Sequence, residues 1–271
     1  MRAVLVATAA FAACAPSAAA FTPSASLAAV GNSVCMSPGA AGRGARPLLG
    51  LRMAAAADSA RATGLAFALD SGTRKSHSVA ENTAFVTGFF RGISNRDTFV
   101  KLVTSLWFVY AAMEAAFDAA DDPAVKAMDY PELRRRASLE QDLTYFFGGD
   151  GWQKEVQPSP ATRAYVKHIE SVAKGDAQWL LVAHMYTRYL GDLFGGQMMG
   201  GMAQKSLNLE GGQGIDFYTF PQIDDNKAFI EQWCLITRGP AITHMRLIRG
   251  MPVASAMATS PWVCACVSVL E

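Results

Sequence analysis

The stretch YTRYLGDLFGGQMMGGMAQKSL, residues 186–207, sets Gly191, Gly195 and Gly196 beside Asp192 and Arg188 inside a run that otherwise reads as one helix. A glycine in a helix interior costs about 1 kcal/mol relative to alanine. A cluster of them marks a kink, or a strip of bare backbone against which something large and flat can lie. The same spacing also fits close packing between helices. A carboxylate among packing glycines must be paired or hydrated, because burying it alone is costly; Arg188 and Asp192, four apart, also fit an ion pair on a helix surface. Upstream, His77 has Glu81 one helical turn on. That carboxylate can accept a hydrogen bond from one ring nitrogen and fix the tautomer that leaves the other for a metal. On spacing alone, a partly buried surface histidine is the other reading.

The elements that would carry these groups read as helices, since apolar residues recur at three- and four-residue steps and no long alternating run suggests a strand. Ser94 with Asp97 gives a capping-box signal, after which Phe99, Leu102, Val103, Leu106, Trp107, Tyr110, Met113 and Phe117 mark one helical face ending near Pro123. Pro131 suits the first turn of a helix carrying Leu133, Leu139, Leu143 and Phe146, which stops at Gly148 and Gly149. Ser159 and Pro160 open another, closed by Gly175. Asp176 is expected to cap the long glycine-bearing helix, and Asp224 to start a short one reaching Trp233. The expected fold is a single all-α domain with a ligand between helices.

Composition separates this core from its flanks. No Asp or Glu precedes Asp58. Arg2, the apolar run 3–14 and the small residues 17–20 have the form of a signal peptide over residues 1–20. The run is too short to span a bilayer. Residues 21–57, led by Phe21, have the Ser- and Arg-bearing composition of a transit peptide. Together they resemble the bipartite presequences of algae with complex plastids, so plastid localisation is expected, with an ordinary secreted protein as the alternative. Residues 58–233 hold no cysteine, which excludes a disulfide framework, an iron-sulfur site or a Cys nucleophile there. With 24 basic and 23 acidic residues, nothing suggests a nucleic-acid surface, and a small or apolar partner is expected.

The segment 186–207, with TRKSHSVAENTAF at 73–85, YPELRRRASLEQDL at 130–143 and FYTFPQI at 217–223, resembles the heme oxygenases over about residues 62–233. The resemblance implies a helical domain that sandwiches heme between a proximal helix and a kinked distal helix. Heme b is then both substrate and cofactor, cleaved oxidatively at its α-meso carbon to biliverdin, Fe2+ and CO with O2 and external electrons. His77 matches the iron ligand, and Arg74 and Tyr186 match groups that contact the propionates. Gly191, Gly195 and Gly196 match the backbone strip against the macrocycle. Asp192 stands where the family anchors a water network that delivers protons, with Tyr110 and Arg188 as partners. His184 matches a family histidine with a packing role, while His168 and His244 match nothing that ligates metal. The core has no dinucleotide motif, so electrons come from a partner, in a plastid a ferredoxin-type donor; biliverdin-consuming reductases are further partners.

Departures from the family pattern keep a second function open, a non-catalytic heme-binding or heme-sensing protein. Ile230 and Cys234 stand where basic residues would complete the propionate clamp. Gly200 and Gly201 replace a basic pair common in animal members, and Phe194 takes a position that is often small and polar. From Cys234 to Glu271 the pattern stops, and Pro240, Pro252 and Pro261 interrupt any helix. The expectation is a retained intron or frameshift in the gene, with a divergent C-terminus as the alternative.

Overall fold

A computed structural model describes residues 59–91 and 95–239. The sequence expectations for residues 1–57, Ser94, His244 and the chain from Pro240 onward lie outside them. Every regular element among the described residues is helical, as the periodicity predicts. The succession is α1 (Gly64–Glu81), α2 (Ala84–Phe90), α3 (Arg96–Ala119), α4 (Pro123–Met128), α5 (Arg136–Phe147), α6 (Pro160–Lys174), α7 (Leu181–Met185), α8 (Gln197–Ser206) and α9 (Asn226–Ile236).

Helix α3 is the axis of the core. Phe99, Val103, Val109, Tyr110 and Met113 are fully buried on it, and each such side chain contributes about 1.5–3 kcal/mol by leaving water. By length and composition alone α3 could cross a bilayer. Here it packs against α5, α6 and α7, and the apolar stripe that makes it hydrophobic is the protein's own interior.

Capping follows the sequence in part. Ser159 accepts from the Thr162 amide at the start of α6, and Gly148, at φ 76°, closes α5 in the left-handed conformation that glycine favours. Asn95 caps α3 by accepting from the Thr98 amide. Asp225, one residue after the expected Asp224, caps α9. Asp176 does not start the distal helix; the chain there makes a 3₁₀ turn, Gln178–Leu180, whose cap position is Ala177. Pro131 opens a separate 3₁₀ turn ending at Leu133. Helix α5 begins only at Arg136, because its cap comes from another helix: the Glu114 carboxylate on α3 accepts from the Arg135 and Arg136 amides at 2.7 and 3.0 Å.

The chain also stays helical beyond Trp233. Helix α9 runs to Ile236 and buries Cys234 and Thr237 to 1% and 2% exposure. Trp233 Nε1 donates to the Met128 carbonyl at 3.3 Å, pinning α9 to α4. Arg238 donates to Thr63 Oγ1 at 2.6 Å and to the Ser59 carbonyl at 3.3 Å. Ending the chain after Trp233 therefore removes two buried residues and both Arg238 contacts. The expected loss is about 2 kcal/mol or more, measured by chemical denaturation against a chain ending at Gly239; equal stabilities would show that these contacts contribute nothing.

Candidate heme site

The long distal helix expected from sequence is interrupted in register rather than kinked at a point. Between α7 and α8 lie two π-helical segments, Tyr186–Leu190 and Asp192–Gly196, joined at Gly191. A π turn spaces its hydrogen bonds one residue wider than an α turn, and such segments concentrate at functional sites. The glycines divide by what surrounds them. A Cβ at Gly191 or Gly195 would meet nothing within 4 Å, whereas one at Gly196 would approach the Tyr218 ring at 3.3 Å and one at Gly200 would lie 2.7 Å from Tyr218 Cβ. Gly191 and Gly195 thus leave bare backbone facing open space. Gly196, expected in the same role, serves helix packing together with Gly200.

Tyr218 is held there by Asp142. That fully buried carboxylate on α5 accepts from the Asp216 and Phe217 amides at 2.7 and 2.9 Å, fixing the 3₁₀ turn Asp216–Tyr218. Tyr218 Cβ sits next to its own backbone and cannot swing away from Gly200. Gly200→Ala should accordingly destabilise by about 1–3 kcal/mol. Gly201→Ala, with nothing within 4 Å, should stabilise by up to about 1 kcal/mol. Thermal melts of the two variants check the pair, and equal shifts would sink the packing argument.

On the second π segment, part of Asp192 reaches the surface while its carboxyl is deeply enclosed. Tyr110, fully buried on α3, donates its hydroxyl to Asp192 Oδ2. Loss of water drives the Asp192 pKa up to about 7, against the pull of the Tyr110 hydrogen bond and the nearby Arg188 and Arg135 guanidiniums. The carboxyl can therefore gain or lose a proton near neutrality. Burial, with Asp192 beside it, pushes the Tyr110 hydroxyl well above its usual range, so it stays protonated and remains a donor. Tyr110 is wedged edge-on between Tyr189 and Phe217, at 5.2 and 5.3 Å between ring centres. Tyr189 in turn donates to Glu114 at 3.3 Å.

The motifs bring Tyr110, Arg188 and Asp192 together, as read from sequence. They do not mark Glu114, Arg135, Asp142 or Tyr189. For Glu114 a signal exists: it is a lone carboxylate between Met113 and Phe117 on an otherwise apolar stripe, which demands a buried partner. His184 is buried, with Nδ1 2.9 Å from the Tyr165 hydroxyl, and burial first, then His168 and Arg188, lowers its pKa to about 3. It is a neutral packing group, as expected.

His77 lies on α1 with its side chain 70% exposed and Nδ1 3.5 Å from Glu81 Oε2. With Nδ1 turned to Glu81, Nε2 is the nitrogen available to a ligand. Arg74, also exposed on α1, pairs with Asp70 at 2.6 Å. Tyr186, at the start of the first π segment, lies close enough to α1 to feel both Asp70 and Arg74; burial raises its pKa to about 12. Ile230 and Cys234 are buried and present no charge to this edge. Phe194 is 53% exposed and carries the Arg61 guanidinium 4.4 Å above its ring. Among the described residues no group of three or more His, Cys, Asp or Glu could hold a bare metal ion.

Fold and site together define an all-α protein with an exposed imidazole on α1 and bare backbone at Gly191 and Gly195 between α7 and α8. A sequence model of the heme oxygenase family matches residues 63–236, and the chain belongs to that family. It is 46% identical over 170 residues to a heme oxygenase of Pyropia yezoensis, covering 62% of this chain and 71% of that one. It is 49% identical over 166 residues to heme oxygenase 1 of Synechocystis sp., covering 61% and 68%. The crystal structure of heme oxygenase-1 from Synechocystis in complex with heme superposes with a TM-score of 0.68 at 38% identity, over 77% of this chain and 91% of that one.

Proposed function

We propose that this chain is a plastid heme oxygenase that opens heme b at the α-meso carbon to give biliverdin, Fe2+ and CO. The observation that carries the mechanism is the Tyr110 hydroxyl on the Asp192 carboxyl, a proton-holding pair beside the Gly191 and Gly195 strip. Bound heme would supply the iron and the activation of O2, and is itself the molecule oxidised. His77 Nε2 would ligate the iron, with Glu81 orienting the ring through Nδ1. Gly191 and Gly195 would let the distal backbone lie close to the macrocycle and exclude bulk. Asp192 Oδ1 and Oδ2, with a pKa near 7, would hold ordered water and pass protons to the distal side. Tyr110 fixes the carboxyl's orientation, and Arg188 keeps part of its population ionised. Arg74 and Tyr186 would meet the propionates.

Electrons are assigned to a ferredoxin-type donor, and biliverdin-consuming reductases would take the product. The presequence pattern, residues 1–20 followed by 21–57 without an acidic residue, supports a plastid address, where such a donor is available. Of the divergent tail read from sequence at residues 234–271, the part beyond Gly239 is read as sequence foreign to the domain. The deciding experiment adds ferredoxin, its reductase and NADPH to the heme complex and follows the spectrum. Replacement of the Soret band by a biliverdin spectrum is expected. A reduced but otherwise unchanged complex would make the protein a heme binder or sensor, a reading that the uncharged, buried Ile230 and Cys234 favour.

A further inference from the structure

The edge where α1, the first π segment and α9 meet carries a cation that the site described above does not use. Arg61 sits in a 3₁₀ turn, Ala60–Ala62, ahead of α1. That turn is fastened to α9: Ser59 Oγ and the Ala60 amide donate to the two oxygens of Glu231 at 2.5 and 2.8 Å, and Arg238 donates to the Ser59 carbonyl. The Arg61 side chain is exposed and reaches across to the distal helix, where its guanidinium stacks on Phe194 at 4.4 Å. Such stacking presets a long side chain without consuming its hydrogen-bond donors.

Charge accounting at this edge singles Arg61 out. Arg74 is paired with Asp70 at 2.6 Å, and the Glu231 carboxylate is oriented by Ser59 and Ala60 with the Arg61 charge nearby. Among the described residues no carboxylate forms an ion pair with Arg61 within 4 Å. Its field nevertheless reaches the Tyr186 hydroxyl, more strongly than that of Arg74 does. Arg61 and Tyr186 therefore stand as two hydrogen-bond donors from two elements at one rim, with Asp70 and Glu231 as the carboxylates beside them.

We infer that Arg61, braced by Phe194, is a carboxylate-binding residue that grips one acidic side chain of the heme and fixes its in-plane orientation. The inference rests on the heme reading and adds a residue to it. Arginine suits the task because its planar fork meets a carboxylate with two parallel hydrogen bonds. Through this one residue, the short turn ahead of α1 becomes part of the ligand site.

The test compares hemin with its dimethyl ester, which has the same ring and iron but no carboxylates, by Soret titration of the whole protein. Arg61→Ala should weaken hemin binding about tenfold and leave the ester unchanged, and Arg61→Lys should recover part of the loss. Phe194→Leu, which keeps an apolar side chain but removes the stack, should weaken hemin binding by less, again sparing the ester. Proton NMR of the low-spin cyanide complex should show a changed ratio of the two heme orientations in Arg61→Ala. An equal loss for hemin and ester, or no loss for hemin, overturns the assignment while leaving the heme site intact. Failure of the unaltered protein to bind either compound overturns the heme reading and this inference with it.

Discussion

Replacing Asp192 with alanine should leave heme bound and cut biliverdin formation by about 10²-fold or more, the scale of lost acid-base assistance. The carboxyl is bonded to the Tyr110 hydroxyl and belongs to the distal helix, whereas the iron ligand proposed here, His77, is on α1, so affinity and turnover should separate. Asp192→Asn keeps an acceptor for Tyr110 and should be milder. The pH profile adds a second signature. The native carboxyl titrates near 7, so an acid-dependent step should weaken as pH rises through that value, and the inflection should vanish in the asparagine variant. Stability has the same sign. With the folded pKa raised above its ordinary 3.8, the native state holds a proton that the unfolded chain releases between about pH 4 and 7. This contribution is complete below pH 4 and lost as pH climbs through 7. Asp142, likewise raised to about 7 by burial, acts in the same direction. The checks are single-turnover spectra at fixed heme loading and denaturant melts of the ligand-free protein from pH 4 to 8. Wild-type biliverdin yield in the alanine variant would return Asp192 to a packing role.

His77→Ala should have the other large effect. The exposed imidazole with its Nδ1 toward Glu81 is the group assigned to the iron, and removing it leaves the ligand held only by its edges. The ferrous complex should lose the five-coordinate histidine signature in resonance Raman. Turnover should fall by at least the roughly 10–100-fold seen when even an orienting partner of a metal ligand is lost. Added imidazole should restore part of it by occupying the vacated position. Glu81→Gln should shift the iron–imidazole stretch without abolishing it, because an amide oxygen still accepts from Nδ1 but carries no charge. A His77→Ala protein that retains the signature would place ligation on another residue.

Much of this was legible in the chain because helices announce themselves locally. The α3 stripe, the Ser159 cap and the Gly148 stop are read within a few residues, and there the structure agrees. Where a boundary is set from elsewhere in space, local reading slips. Helix α5 starts at Arg136 rather than near Pro131 because Glu114, on another helix, supplies its cap. Helix α9 outlasts Trp233 because Cys234 and Thr237 find buried surroundings. The site shows the same division. His77, Tyr110, Arg188 and Asp192 could be named from motifs, but the split of the glycines between Tyr218 and open space depends on a turn that Asp142 holds from α5. No spacing rule within residues 186–207 contains that information.

The two π-helical segments have a consequence for how this stretch can change in length. Each wide turn accommodates what amounts to a surplus residue relative to an α-helix, so deleting one residue between Tyr186 and Gly196 would let the backbone close into ordinary α register without breaking the rod. Residues downstream would keep their faces, because the residue lost is the one the wide turn absorbs, so Gly200 would stay against Tyr218. The change would fall inside the shortened segment, and closing Asp192–Gly196 would move Asp192 relative to Tyr110. Insertions and deletions are usually confined to loops. In this domain the middle of a helix is where a one-residue deletion would be structurally mild and functionally severe, because the wide turns themselves, as much as the composition, hold the chemistry in place.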